Sequence, residues 1–126
     1  MLLLAGCTAL RQEAPPAAAS TNAAVVALLD KAQIQSSAGQ LPEASGSLER
    51  ALRIEPRNPA LWQALARVRL EQGLYRQAEN LAAKSNSLIA GDGALRQENW
   101  RIIGQARTRR GDLQGARDAF EKAAQP

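Results

Sequence analysis

Large and small apolar residues recur along this chain in one fixed order. Leu28, Ala32, Gly39, Leu41, Ala44, Leu48 and Ala51 return as Trp62, Ala66, Gly73, Tyr75, Ala78, Ala82 and Ser85. They return again as Trp100, Gly104, Gly111, Leu113, Ala116, Phe120 and Ala123. The first two copies are 34 residues apart and the third follows after 38, with the four additional residues falling around Gly91, Asp92 and Gly93. Within the second copy, Trp62, Leu65, Ala66 and Leu70 come round to one side of a 3.6-residue helix. Ala66 and its equivalents Ala32 and Gly104 are small, as expected where a partner helix crosses. Gly39, Gly73 and Gly111 are placed to end the first helix of each copy in the left-handed conformation that glycine adopts without a steric penalty. Second helices are predicted from Leu41 to Ile54, Tyr75 to Ile89 and Leu113 to Ala124, with Ala44, Ala78 and Ala116 as close-contact points. Pro56 and Pro59 stop the first copy and open the next. The pattern therefore predicts an all-α protein of six helices over about Asn22 to Ala124. A helix pair of this size cannot bury its apolar side alone, so the copies must stack.

That period, with large, small, Gly, large, Ala, large, Ala in order, resembles the tetratricopeptide repeat family, two antiparallel helices per unit. The resemblance implies a right-handed superhelical stack of three helix-turn-helix units, about 25–58, 59–96 and 97–126, within a domain spanning 22–126. It also implies that successive first helices line a concave face. The expected groove positions are Val26, Leu29, Gln33, Ser36 and Ser37 in the first copy, and Ala60, Gln63, Arg67, Leu70 and Glu71 in the second. In the third they are Glu98, Arg101, Gln105, Thr108 and Arg109. Gln63, Arg67, Leu70, Arg101, Gln105 and Arg109 are the expected partner-binding residues. The groove is expected to be apolar at one end and arginine-lined at the other, suited to an extended peptide or a domain edge with acidic groups. The carboxylate clamp of chaperone-binding relatives uses Lys and Asn at set groove positions; Gln63 and Arg67 stand here instead, which argues against that mode.

Composition sharpens this picture in two respects. Aromatic residues make up only 3% of the chain, so Trp62, Trp100, Tyr75 and Phe120 are expected to carry a large share of the core. The formal net charge is +4, which raises the question of nucleic acid. Basic and acidic residues are interspersed, as in Arg117, Asp118, Glu121 and Lys122, with no block of like charge and no aromatic-basic strand pattern, so nucleic acid is not the expected partner. Of the 16 basic residues 13 are Arg, a bias toward fork-shaped contacts with carboxylates.

The residues offer no catalytic constellation. There is no histidine and the one cysteine is Cys7, so neither a nucleophilic triad nor an imidazole metal site can be assembled. Glu43, Glu49, Glu55, Glu71 and Glu79 lie at helical spacings beside arginines and read as solvated helix faces. Gly91 to Gly93 reads as a short loop without the Lys and Ser/Thr of a phosphate cradle. Neither an enzyme nor a bound cofactor or metal is expected; a protein-binding module, monomeric in itself, is.

At the amino terminus, Leu-Ala-Gly-Cys at Leu4 to Cys7 resembles the lipobox of bacterial lipoproteins. The resemblance implies cleavage after Gly6, a lipid on Cys7 and, with Thr8 in place of Asp, an outer-membrane anchor facing the periplasm. Residues 1–6 would be the remnant of a signal peptide and 7–21 the lipidated cysteine with a Pro/Ala-rich linker. Six residues without a charged side chain are short of a full leader, so Met1 is expected to be an internal methionine of a longer one. Residues 8–21 would reach about 46 to 50 Å when fully extended. Together, lipobox, linker and short repeat array resemble the small tetratricopeptide outer-membrane lipoproteins of pseudomonads that activate bifunctional class A penicillin-binding proteins. That resemblance implies docking on the synthase's periplasmic regulatory domain. A pilotin-like factor for secretin or type IV pilus assembly, or an envelope scaffold without activating role, has the same general layout.

Overall fold

The computed structural model of the protein describes residues 19–91 and 93–126. Cys7, the lipobox and most of the Pro/Ala-rich segment lie outside the described residues. The six helices are α1 Ala23–Ser37, α2 Leu41–Ile54, α3 Pro59–Glu71, α4 Tyr75–Leu88, α5 Gly93–Arg109 and α6 Leu113–Ala124. Local chemistry accounts for their ends. The Asn22 side chain accepts from the backbone N–H groups of Ala24 and Val25, and Asn58 and Asp112 cap α3 and α6 in the same manner. Gly39, Gly73 and Gly111 hold φ near 75°, 76° and 81°, the left-handed turn that lets each second helix double back on its first.

Each first helix packs against its own second helix, α3 stacks on α2, α5 stacks on α4, and α3 meets α5 directly. One cluster around Leu48, Leu52, Leu61, Leu65 and Val68 joins the first two repeats, and another around Ala66, Ala82, Ile102 and Ile103 joins the last two. The four-residue insertion is not absorbed by a loop alone. It becomes an additional first turn on α5, which starts at Gly93 and runs for 17 residues against 13 in α3.

The aromatic residues take a different place from the one composition suggests. None of the four is fully buried; the largest fully buried side chains are Leu48, Leu61, Ile102, Ile103 and Val25. Trp62 lies along the rim of the first cluster, its indole N–H donating to the Pro56 carbonyl at 2.8 Å, with the Lys84 ammonium 5.9 Å from its ring centroid. Trp100 repeats the arrangement with Lys122 at 4.4 Å. An amphipathic ring with a polar edge gains most at such a rim, where a cation can lie over its outer face. Phe120 is 40% exposed, its ring resting on α5 where a Cβ at Gly104 would come within 2.7 Å of it.

Several acidic side chains are also more than solvated faces. Arg69 of α3 donates back to Ser45 at 3.0 Å and Glu49 at 3.1 Å on α2. In the next repeat Arg107 and Arg110 close on Glu79 of α4 at 2.7 and 2.9 Å, leaving it 16% exposed. Arg69 and Arg107 are equivalent positions, so one cross-repeat contact is used twice. Glu43 and Glu71 remain exposed as expected.

The Ser20 hydroxyl donates to Glu55 at 2.6 Å, and Asn58 donates to both Glu55 and the Ala19 carbonyl at 2.8 Å. These bonds fasten the chain ahead of α1 to the α2–α3 corner. The Ser20 hydroxyl first, and the Asn58 amide second, hold the Glu55 carboxyl below its ordinary value of 4.5. A carboxyl whose folded pKa is depressed contributes stability above its unfolded pKa and loses it as pH falls through the folded one. The corner contact is therefore expected to be intact above pH 4.5 and to open on acidification below it. A carbon-detected NMR titration of Glu55 checks this, and Ser20→Ala should raise the measured pKa; an unchanged value would mean that the hydroxyl contributes nothing.

Candidate functional site

The first helices place their groove positions side by side. Leu29, Gln33, Ser36 and Ser37 of α1 face Ala60, Gln63, Arg67 and Glu71 of α3 across one open cavity, with Ala19 at its rim. The α1–α3 part of the face is carbon, hydroxyl and amide, with Arg67 and Glu71 at its α3 wall. Two further hollows continue it toward α6. Leu70, Glu71, Gln105, Thr108, Arg109 and Phe120 line one, and Arg101, Gln105, Phe120, Ala123 and Ala124 the other. All six expected partner-binding residues thus line the open face, Gln63 nearly buried, Leu70 half-buried and Arg67, Arg101, Gln105 and Arg109 exposed.

The charges on this face are loosely held. Glu98 accepts from Arg67 at 3.1 Å and from Arg101 at 3.0 Å, so two guanidinium groups share one carboxylate. Both arginine side chains are about half exposed, at 52% and 49%, and pairs of that kind contribute roughly 0 to 1 kcal/mol. An incoming carboxylate can replace Glu98 at either arginine at little cost. Arg109 forms no ion pair among the described residues. The arginine end is not purely polar, however: Phe120 brings an exposed ring between Leu70 and the arginines, which the expected apolar-to-basic gradient did not include.

Two comparisons bear on what this face belongs to. A tetratricopeptide repeat family model matches residues 36–95. The solved globular C-terminal domain of P. aeruginosa LpoP is 44% identical, with a TM-score of 0.80, covering 82% of this chain and 98% of that one. The chain belongs to the LpoP family of tetratricopeptide-repeat proteins. No curated protein sequence matches it. Fold and match together make the LpoP-like region a protein-interaction domain, and the face lined by α1, α3 and α5 carries a run of open hollows. Among the described residues no cluster of His, Cys, Asp and Glu is arranged to hold a metal ion, and no helix is long and apolar enough to cross a membrane.

Gln63 is the expected site residue that this LpoP-like fold draws inward. It is 8% exposed, and its amide N–H groups go to the Leu95 carbonyl at 3.2 Å and the Asn99 side-chain oxygen at 3.0 Å. Asn99, wholly buried, donates in turn to Ser85 at 2.7 Å and Asn86 at 3.0 Å, and Ser85 donates to the Pro59 carbonyl at 2.8 Å. The extra turn of α5 supplies Leu95, so the inserted residues contribute one acceptor to this network. It ties α3, α4 and α5 in one register, which sets the spacing between Arg67 and Arg101 on the open face. One signal for it was present in the chain: Ser85 stands where the other two copies have Ala51 and Ala123, a polar residue at a core position.

Proposed function

We propose that this protein is a lipid-anchored adaptor of the bacterial envelope that docks on a bifunctional class A penicillin-binding protein and stimulates glycan polymerisation and crosslinking. The 44% identity to LpoP over 98% of that domain carries the reading, together with the lipoprotein-type sequence ending at Cys7. In this reading residues 1–6 are removed with the leader, Cys7 bears the lipid in the outer membrane, 7–21 form the linker, and 22–126 face the periplasm as the binding domain. The partner lies along the open face, its apolar groups toward Leu29, Ala60 and Leu70 and its carboxylates toward Arg67, Arg101 and Arg109. The adaptor acts by contact alone, and the synthase supplies the chemistry. Polymerisation of lipid II by the purified synthase, with and without this protein, tests it directly. A rise in rate is expected; an unchanged rate, or recovery of a secretin and no wall synthase from envelope extracts, would reject it.

The charge-reversing changes Arg67→Glu, Arg101→Glu and Arg109→Glu test the docking face. Each is expected to weaken synthase binding, by about tenfold for Arg109, because a repelling charge replaces one that has no internal carboxylate to release. Smaller losses are expected for Arg67 and Arg101, which already share Glu98. If titration calorimetry with the synthase's periplasmic region shows all three binding like the parent, docking does not use this face.

A further inference from the structure

The carboxy-terminal edge of the stack repeats a surface that is covered twice elsewhere in the same molecule. On α2, Ser45, Leu48 and Leu52 form a buried stripe beneath α3. On α4 the equivalent stripe is Glu79, Ala82 and Asn86, held by α5 through Arg107 on Glu79 and Asn99 on Asn86. On α6 the same positions are Arg117, Phe120 and Ala124, and all three are exposed. Leu48 is 1% exposed and Ala82 0%, but Phe120 is 40% exposed, with Leu113 on the same helix at 60%. Among the described residues no further helix packs on this stripe, and Phe120 touches its own repeat's α5 side.

Its charge is reversed at one position, that of Ser45 and Glu79. Where α2 and α4 present an acceptor to an arginine of the following helix, α6 presents Arg117, which has no ion pair among the described residues. Glu121 stands one turn further, at the position of Glu49. We infer that the α6 edge is a docking surface for an amphipathic helix of a partner protein, one that continues the stack and carries a carboxylate where α3 and α5 carry Arg69 and Arg107. Its apolar side covers Phe120 and Ala124. Its carboxylate pairs with Arg117, and a basic residue one turn nearer its amino terminus suits Glu121. A second copy of this chain is a poorer occupant, since the matching position of α1 is Gln35, already accepting from Ser47 at 2.7 Å. This surface meets the open face at Phe120 and Ala124, which line its last hollows, and extends beyond it through Arg117 and Glu121.

A peptide built from the chain's own stacking helix probes the edge. Residues 58–72 carrying Arg69→Glu, and the same peptide unchanged, are titrated into the isotope-labelled full chain and followed by amide chemical shifts, a readout that tolerates weak binding. The Glu peptide is expected to shift the amides of 113–124 and to bind about fivefold more tightly than the unchanged one. Arg117→Glu, a change on an exposed position, should invert that preference, and Phe120→Ala should weaken both peptides. Shifts away from α6, equal affinities, or no inversion would overturn the assignment. So would sedimentation showing that the full chain self-associates and that Phe120→Ala abolishes it, because the occupant would then be a second copy.

Discussion

Leu48→Ala is expected to lower the unfolding free energy of the domain by about 2 to 5 kcal/mol, and Phe120→Ala by far less. Leu48 is 1% exposed and lies between Leu52, Leu61, Leu65 and Val68 at the junction of the first two repeats. Removing its isobutyl group leaves a cavity that two helices on different repeats cannot both close. Phe120, the larger side chain, is 40% exposed and can lose its ring without opening a void. Stacked repeats draw their stability from nearest-neighbour interfaces, so damage at one interface is not repaired by the other. Thermal unfolding followed by circular dichroism separates the two variants, since each 1 kcal/mol moves the midpoint by about 4 to 8 °C in a domain of this size. A Phe120→Ala loss equal to that of Leu48→Ala would show that the ring is covered in solution.

Asn99→Leu is expected to cost about 2 to 4 kcal/mol, although leucine has a similar volume and lies well within a helix. Asn99 is fully buried and exchanges hydrogen bonds with Gln63, Ser85 and Asn86. Leucine leaves the Ser85 and Asn86 oxygens without their donor and removes one of two acceptors from Gln63. Asn99→Asp is expected to cost more, because it adds a buried charge and cannot donate at all. The damage should concentrate at the second junction. Amide exchange in α5 and α6 is expected to accelerate more than in α1 and α2, which native-state hydrogen exchange can resolve. Uniform acceleration would mean that the three repeats open only together.

Helix limits were legible in the chain because their causes are local. Gly39, Gly73 and Gly111 answer a backbone requirement, and Pro59 opens α3; neither depends on distant residues. The second helices accordingly run as expected, α4 ending one residue early at Leu88 where Ile89 turns extended. The open-face arginines were legible for a related reason, since helical spacing alone puts Arg67, Arg101 and Arg109 on one side. Burial of the aromatics was not, because it depends on place in the array. Phe120 occupies the same repeat position as Leu48, and only the presence or absence of a following helix separates a core residue from an exposed one. Asn99 and Gln63 were illegible because polar residues at helical spacing read as surface. Only the docking of α5 with its additional turn turns them into each other's partners.

The bonds from Ser20 and Ala19 to the α2–α3 corner determine where mechanical load would enter this fold. Tension on the chain ahead of Ala19 reaches Glu55 and Asn58 before it reaches the first turn of α1. Two hydrogen bonds must shear before that helix can be peeled from its neighbours, and protonating Glu55 would remove one of them as a charged contact. A pull arriving from that side would be taken up first at a turn between repeats and only then at the end of α1.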